Sequence, residues 1–197
     1  MYFSQKELLL PKTVDVNRIH QSALQVFVER GYEAATTKEI AERAGVNEAT
    51  LYRRFNTKAE LIRTALAQEL GNSPFGHLKG TDDARADIAM IVKAYIETFE
   101  VFGAVVIALL SEAARHPEIQ SATSALLPNL QNAAQIIAKH QATAKITSGN
   151  PVLKLLTLIA PLAMMGITPH PLRGMVGDIS QMDPELIATD FLNGHLA

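Results

Sequence analysis

The feature that most constrains the fold is the stretch from Thr36 to Lys58, which predicts two short helices joined by a tight turn. Within it, Ala41 is followed four residues later by Gly45, and Leu51 comes six residues after that glycine. A small residue lets two helices approach, a glycine makes the corner in a left-handed conformation, and an apolar residue locks the second helix against the first. This spacing is typical of a helix-turn-helix motif.

Polar residues predict where these helices begin. Thr36 caps the first helix and forms a capping box with Glu39, three residues later. Asn47 is a favourable N-cap for the second helix, which extends to Phe55. Thr57 caps a further helix that leads out of the motif. Each start is therefore marked by a side chain that accepts a hydrogen bond from an otherwise unpaired backbone N–H.

An apolar stripe predicts one more helix before the motif. Its members recur at the spacing of one helix face: Val16, Ile19, Ala23, Leu24, Phe27 and Val28. Gly31 follows the stripe and predicts the end of this helix. The sequence therefore predicts a head of three helices, of which the last two form the helix-turn-helix, followed by the helix that Thr57 begins.

Several positions of this head fit one known pattern without insertions. They are Gly31-Tyr32, Thr36-Thr37, Ile40-Ala41, Ala44-Gly45-Val46, Thr50-Leu51-Tyr52, Phe55 and Lys58-Ala59-Glu60-Leu61. In these positions the chain resembles the N-terminal domain of TetR-type transcriptional repressors. The resemblance implies an arm at residues 1–14, a helix-turn-helix DNA-binding domain at 15–70, and a helical domain at 71–197 that binds an effector and dimerises.

The resemblance also implies which residues contact DNA, with the helix from Glu48 to Phe55 in the major groove. It assigns base edges or nearby atoms to Asn47, Glu48, Ala49, Tyr52, Arg53 and Arg54, phosphates to Thr36, Thr37, Tyr52 and Lys58, and Thr50 to the same site. An arginine can pair with guanine, a glutamate can accept from cytosine N4, and an alanine methyl can touch thymine. The negative charge of Glu48 weakens binding to DNA in general and can sharpen specificity.

Downstream of the head, capping residues and apolar stripes predict only helices. The predicted elements are a linker at 71–80, a helix from Thr81 to Phe102 that Gly103 ends, a helix at 104–115, a segment from Pro117 to Lys139 kinked or divided by Pro128, a helix from Asn150-Pro151 to Met165, a loop from Gly166 to Met182, and a helix opened by Asp183-Pro184. The chain is therefore predicted to be all-α.

Apolar and aromatic residues of the downstream helices predict either an effector pocket or ordinary core. They are Tyr95, Phe99, Phe102, Ile107, Leu110, Met164 and Met165. Because residues of this kind at helical spacing also form plain hydrophobic cores, both interpretations stay open. If they line a pocket, few charges surround it, and the effector is expected to be small and largely apolar.

The composition excludes several classes of function. The 197 residues contain no cysteine, and the six histidines form no metal-binding pattern, so neither a metal nor another cofactor is expected. The sequence contains no nucleophile elbow, dinucleotide fingerprint or phosphate loop, so an enzyme is not expected. The longest apolar run, Leu155 to Ile167, is shorter than the roughly 20 residues that a bilayer requires. A cytoplasmic protein without a membrane partner is therefore expected.

The charge distribution indicates how nucleic acid would be bound. The net charge of the chain is −2, and the first 70 residues hold 10 Lys or Arg against 9 Asp or Glu. The head therefore has no bulk basic field, and phosphate binding must come from the placement of individual side chains.

Together these observations predict a homodimeric transcriptional regulator. Its predicted partners are a double-stranded DNA operator, a second copy of the chain and a small, largely apolar effector. A repressor that blocks a promoter until the effector releases it is the first interpretation. An activator or dual regulator on the same fold, and a helical ligand-binding protein with a vestigial DNA head, are the alternatives.

Overall fold

The structure, a computed structural model, describes residues 15–168 and 170–195; the arm predicted at residues 1–14 lies outside them. Every regular element in the described ranges is helical, which confirms the predicted all-α fold. The helices are α1 (Val16–Ala34), α2 (Thr37–Ala44), α3 (Glu48–Phe55), α4 (Lys58–Gly71), α5 (Ala84–Ala113), α6 (Leu127–Ala142), α7 (Pro151–Ile167), α8 (His170–Val176) and α9 (Pro184–Asn193). Short 3-10 segments occur at Pro74–Gly76, Pro117–Leu126 and Ile179–Gln181.

The helices of the head begin at the predicted capping residues. The Thr36 side chain accepts a hydrogen bond from Glu39 N at 3.1 Å, and the Thr57 side chain caps α4 at the same distance. The Asn47 side chain accepts from the N–H two residues later at 2.8 Å and caps α3. Only half of the predicted capping box forms at α2, because the Glu39 carboxylate pairs with Arg43 at 2.7 Å.

Gly45 makes the corner between α2 and α3 in the left-handed conformation, with φ 68° and ψ 34°. Its N–H donates to Glu42 O at 3.1 Å, and Val46 N donates to Ala41 O at 3.0 Å, so the last carbonyls of α2 are satisfied. A residue with a Cβ is strained at this φ. The predicted helix-turn-helix is therefore confirmed, including its corner.

Apolar clusters hold the head together and attach it to the rest of the chain. The cluster inside the head consists of Ile19, Ala23, Val26, Ala35, Ile40, Ala41, Ala44, Leu51, Phe55 and Leu61. The junction cluster consists of Leu24, Phe27, Tyr32, Ala59, Ile62, Ala65, Leu66, Leu70, Val105, Leu109, Ala113, Ile119, Ala122 and Ala125. It packs α1 and α4 against α5 and the 3-10 segment that precedes α6. A further cluster, formed mainly by α5, α6, α7 and α9, fills the centre of the downstream half.

α5 is one helix of 30 residues, so the helix end predicted at Gly103 is wrong. Gly103 is buried, and a Cβ at this position would lie 2.8 Å from the Phe99 ring. The glycine therefore allows the ring to pack closely and does not make a turn. By length and hydropathy alone α5 is also long and apolar enough to cross a bilayer, a test that core helices of soluble proteins pass too. In this structure α5 packs against α1, α7 and α9.

α5 begins at Asp83 rather than at the predicted cap, Thr81. Asp83 Oδ1 accepts from Arg85 N at 2.9 Å. Thr81 instead donates from its N and from Oγ1 to the Asp87 carboxylate, each at 2.8 Å. The same carboxylate accepts from His140 Nε2 at 2.7 Å, and both side chains of this pair are 1% exposed. Asp87 thus ties the start of α5 to the last turn of α6.

Two segments predicted to be a linker and a loop are more ordered than expected. The 71–80 segment contains a 3-10 turn and buries Phe75 and Leu78 in the core. The segment from Gly166 to Met182 contains α8 and a second 3-10 turn. Glycine and proline end long helices, but short helical turns and apolar anchors tolerate them. The predicted division at Pro128 is confirmed, because this proline lies in the first turn of α6.

Candidate nucleic-acid interface and apolar cavity

α3 presents a polar face to solvent because its apolar residues point inward. Leu51 and Phe55 are 1% and 7% exposed, and they lie one helical turn apart. Burying both forces the residues between them outward. Tyr52, Arg53 and Arg54, which the sequence predicts to contact DNA, are all exposed on this outer side.

Thr37, Glu48 and Tyr52 form a hydroxyl cluster between α2 and α3. Thr37 Oγ1 lies 2.6 Å from Glu48 Oε1 and 3.1 Å from Tyr52 Oη. The threonine hydroxyl has one proton, and a carboxylate can only accept, so this proton goes to Glu48 and the tyrosine hydroxyl donates to Thr37. The cluster thereby links one predicted phosphate contact on α2 to two predicted contacts on α3.

The other predicted contacts lie around the starts of α2 and α3. Thr36 and Asn47 are exposed, and their side chains cap the two helices. Ala49 is exposed and Thr50 is half-buried. Helix starts carry unpaired N–H groups and the positive end of the helix dipole, and both favour a phosphate.

The Lys58 ammonium is directed into the protein and not toward the outer surface. Its Nζ donates to the carbonyl oxygens of Tyr32 and, at 2.8 Å, of Ala35, and it lies 4.2 Å from the centroid of the Tyr32 ring. Burial lowers the pKa of Lys58, and the Glu118 carboxylate opposes this shift. In this conformation Lys58 holds the end of α1 against α4. A phosphate contact stays a prediction and requires the ammonium to leave these carbonyls.

The arginines of α3 are free of carboxylates, whereas Arg30 and Arg43 of the head are paired with them. Arg43 pairs with Glu29 at 2.6 Å and with Glu39 at 2.7 Å, and these hydrogen bonds raise its pKa. Within the described residues, neither Arg53 nor Arg54 forms an ion pair. Their guanidinium groups therefore stay available to an external acceptor.

His20 is a buried histidine beneath α3. Its ring centroid lies 5.6 Å from that of Phe55, and the residue is 4% exposed. Neither ring nitrogen has a hydrogen-bond partner in the described part of the chain. Burial lowers the pKa of His20; the Gln68 side chain, which falls short of hydrogen-bond geometry, opposes this shift, and the positive charge of Arg54 adds to it. The folded head therefore favours the neutral imidazole.

Acidification is expected to destabilise the head through His20. The unfolded chain binds a proton on His20 near pH 6.5, and the folded chain resists until a lower pH. The contribution of neutral His20 to the free energy of unfolding is therefore fully present above about pH 6.5. It is lost as the pH falls below that value, by about 1.4 kcal/mol for each unit of difference between the two pKa values. Urea denaturation at several pH values measures the loss, which should be smaller in His20→Leu than in the wild type.

His77→Gln, which replaces an exposed histidine, should keep the wild-type pH dependence. Equal pH dependence in His20→Leu and the wild type would contradict this assignment.

An apolar cavity of about 180 Å³ lies between α4, α5, α6 and α7. Four of the predicted pocket residues line it: Tyr95, Phe99, Phe102 and Leu110. Burial raises the pKa of Tyr95 to about 12, because the phenolate is poorly solvated there. The cavity therefore suits an apolar molecule with few hydrogen-bonding groups.

Polar side chains at the cavity wall connect it to neighbouring elements. Asn129 Nδ2 donates to Leu70 O at 2.8 Å, in the last turn of α4. Thr98 Oγ1 accepts from Phe75 N at 3.1 Å. These four lining residues, Leu70, Phe75, Thr98 and Asn129, were not predicted, because they lie at helix ends, at a polar position of an apolar stripe, and in the segment predicted to be a linker. The presence of the aromatic Phe75 in that segment was the available signal.

Three predicted pocket residues, Ile107, Met164 and Met165, lie outside the cavity lining. Met164 is 61% exposed on the outer side of α7, and Met165 packs against the core of the downstream half. Ile107 follows Val106, which does line the cavity, and is turned about 100° away around the helix axis. Had a helix ended at Gly103, the direction of the Ile107 side chain relative to Tyr95 and Phe99 would have been open. Because α5 is continuous, this direction is fixed by the helix geometry.

α7 carries an exposed apolar face, called the α7 face below. It consists of Val152, Leu153, Leu156, Met164 and Ile167, and Leu186 of α9 is also exposed. The opposite side of α7, with Leu155, Leu158 and Leu162, is buried in the core. A contiguous exposed stripe of large apolar side chains marks an interaction surface.

The fold defines a class of protein, with a helix-turn-helix head that exposes α3 and a helical domain behind it. Residues 19–65 match the family described as bacterial regulatory proteins, tetR family. The match covers the head of the chain, and there it confirms the resemblance seen in the sequence. Its members are regulatory proteins and not enzymes, in agreement with the sequence analysis.

Individual relatives agree over different lengths. YvkB of Bacillus subtilis, described as an uncharacterized HTH-type transcriptional regulator, is 49% identical over 55 residues, or 28% of this chain and 29% of the relative. The HTH-type transcriptional activator FasR of Mycolicibacterium smegmatis is 36% identical over 94 residues, or 46% and 43%. The chain thus spans less than half the length of these relatives. The solved structure of the TetR-family regulator PfmR of Thermus thermophilus matches 89% of this chain and 95% of that one, with a TM-score of 0.59 and 18% identity, which shows a shared fold.

Proposed function

We propose that the protein is a cytoplasmic transcriptional regulator that binds a palindromic DNA operator as a homodimer and represses until a small effector releases it. The observation that carries the proposal is the outer side of α3, where Tyr52, Arg53 and Arg54 are exposed and both guanidinium groups are free of carboxylates. In a docked helix-turn-helix this helix lies in the major groove, where arginine pairs with guanine O6 and N7.

Dimerisation is supported by the α7 face. Leu153 is 60% exposed and Leu156 is 41% exposed, although the same helix packs its other side into the core. A two-fold copy can bury both stripes in one four-helix interface of α7 and α9. Two heads held in this way face half-sites one helical turn or a multiple apart, so the operator is expected to be palindromic.

Control by an effector is supported by the position of the cavity. Leu70 lines the cavity, and its carbonyl accepts the hydrogen bond from Asn129 at the last turn of α4. The first turn of α4 contains Lys58, which holds the end of α1 in the head. An apolar molecule in the cavity would therefore contact a helix that reaches the head. Coupling of this kind is typically about 1–3 kcal/mol in operator affinity.

Selection of bound duplexes from a random library tests DNA binding, and Arg53→Ala tests the assigned surface. The selected duplex should bind Arg53→Ala about 1–3 kcal/mol more weakly than the wild type and with relaxed preference at one base position, because one bidentate base contact is lost. Gel-shift titration at fixed salt measures both effects. Arg85→Ala, which removes the same charge from an exposed position at the start of α5, is the matched control and should bind as the wild type does. If no sequence is enriched, the head is vestigial; if Arg53→Ala binds with wild-type affinity and preference, α3 does not read the operator in this way.

Activation is a second candidate, favoured by one observation. The relative FasR, 36% identical over 94 residues, is described as a transcriptional activator. Transcription in vitro from a promoter that carries the selected operator separates the two outcomes. A repressor lowers transcript yield in proportion to operator occupancy, whereas an activator raises it.

A further inference from the structure

Glu48 is the one carboxylate among the predicted DNA contacts, and it is already hydrogen bonded to another of them. We propose that in the free protein Glu48 keeps the Thr37 hydroxyl, and through it the Tyr52 hydroxyl, hydrogen bonded within the protein. Glu48 releases Thr37 only where DNA offers its carboxylate a base-edge amine. Glu48 would thus determine specificity by coupling base reading to phosphate binding. The inference rests on the proposed DNA-binding function and assigns a mechanism to this surface.

Both hydroxyl protons of the cluster already have an acceptor inside the protein. The Thr37 proton is committed to Glu48 at 2.6 Å, and the Tyr52 proton is committed to Thr37 at 3.1 Å. A phosphate oxygen only accepts hydrogen bonds, so it can bind either hydroxyl only after that hydroxyl turns away from its present acceptor. Because the bond to the carboxylate is charge-assisted, it is the stronger of the two. The Thr37 hydroxyl therefore resists a phosphate until Glu48 gives up its donor.

The charge of Glu48 adds to this resistance. No lysine, arginine or histidine in the described part of the head forms an ion pair with Glu48, whereas Glu29, Glu39 and Glu60 are each paired with an arginine. A phosphate that reaches Thr37 comes close to an uncompensated carboxylate. At a separation of about 4 Å in a water-like dielectric, one such repulsion lowers affinity about fivefold. The penalty applies to every DNA sequence.

A cytosine facing the start of α3 can remove the penalty. Cytosine N4 is a donor at the edge of the major groove, and a carboxylate is the side-chain group that accepts from it. When the Glu48 side chain turns into the groove toward this donor, it leaves Thr37, and the Thr37 and Tyr52 hydroxyls can then both donate to a phosphate. The operator then gains a base contact and phosphate contacts together, whereas other DNA gains neither. Contacts to phosphate, which ordinarily carry no sequence information, become conditional on the base.

The test compares the wild type with Glu48→Gln and Glu48→Ala on two probes, a duplex selected by the wild type and a scrambled duplex of equal length. Glu48→Gln should bind the scrambled duplex about fivefold more tightly, because the repulsion is gone, and Glu48→Ala more tightly still, because the Thr37 hydroxyl is also released. Selection repeated with Glu48→Gln should lose a cytosine at one position, because glutamine prefers adenine N6 and N7. Glu100→Gln, which removes the same charge from an exposed position of α5, is the control and should leave both affinities unchanged.

A double-mutant cycle with Thr37→Val separates the hydroxyl cluster from simple repulsion. Without the Thr37 hydroxyl, the gain of Glu48→Ala on scrambled DNA should fall to the roughly fivefold that repulsion alone gives, since contacting pairs are non-additive. An equal gain in both backgrounds would overturn the coupling. Unchanged scrambled-DNA affinity and an identical selected motif in Glu48→Gln would overturn the role of Glu48 altogether. If the wild type itself selects no duplex, the proposed DNA-binding function fails, and that result is distinct from either of these.

Discussion

Replacing Leu153 and Leu156 together by glutamate is expected to convert the proposed dimer into a monomer and to abolish binding to the proposed operator at concentrations where the wild type is saturated. Both side chains lie on the α7 face, where they are 60% and 41% exposed in the single chain. In a two-fold interface the double variant places four carboxylates in an apolar contact. Burial of an unpaired charge costs several kcal/mol, so the interface cannot form. Since a monomer has one head and reaches only one half-site, loss of the dimer also lowers the affinity for the operator.

Sedimentation equilibrium and operator titration measure this prediction. Gln131→Glu with Gln135→Glu adds the same charge to exposed positions of α6 and is the matched control, expected to remain dimeric. Helical circular dichroism should be unchanged in both double variants, because none of the four side chains is buried in the single chain. A Leu153/Leu156 variant that sediments as the wild type does would place the dimer interface elsewhere. Deletion of α9 is a poorer test, because Phe191 and Leu192 are part of the core.

Asp87→Ala is expected to lower the free energy of unfolding by about 3–5 kcal/mol, the cost of leaving one partner of a buried pair without the other. The Asp87 carboxylate accepts from His140 Nε2 at 2.7 Å and from two donors of Thr81 at 2.8 Å. Its removal leaves the His140 ring, which is 1% exposed, without its acceptor, whereas water can reach the donors of Thr81. Urea denaturation followed by circular dichroism measures the loss. Glu97→Ala, an exposed carboxylate on the same helix, should change stability by less than about 0.5 kcal/mol. A loss below about 1 kcal/mol in Asp87→Ala would show that water replaces the missing acceptor.

The head could be predicted from sequence because its determinants are local. Thr36, Gly45 and Asn47 each act on backbone groups within a few residues, and the structure places all three as predicted. Lys58 differs, because the carbonyls that engage its ammonium lie more than twenty residues earlier in the chain. Sequence spacing indicates that Lys58 is near the start of α4, but not which way its side chain turns.

The downstream half was harder to predict because its determinants are long-range. Gly103 resembles a helix end in sequence, yet it serves the packing of the Phe99 ring within a continuous helix. Thr81 resembles an N-cap, yet its hydroxyl donates to Asp87, whose burial depends on α6. In both cases the residue type allows two roles, ending or starting a helix on the one hand and packing or hydrogen bonding to a distant residue on the other. The distant contact, which the local sequence does not show, decides between them.

The junction cluster has a consequence for how such proteins can recombine. It buries Leu24 and Phe27 of α1 and Leu66 of α4 against Val105 and Leu109 of α5. The head is therefore not a portable module with a surface of its own. Grafting residues 15–71 onto another helical body preserves α3 only if the body also supplies a matching α5 surface. Exchange of binding specificity between relatives is correspondingly easier by substitution within α3 than by transfer of the whole head.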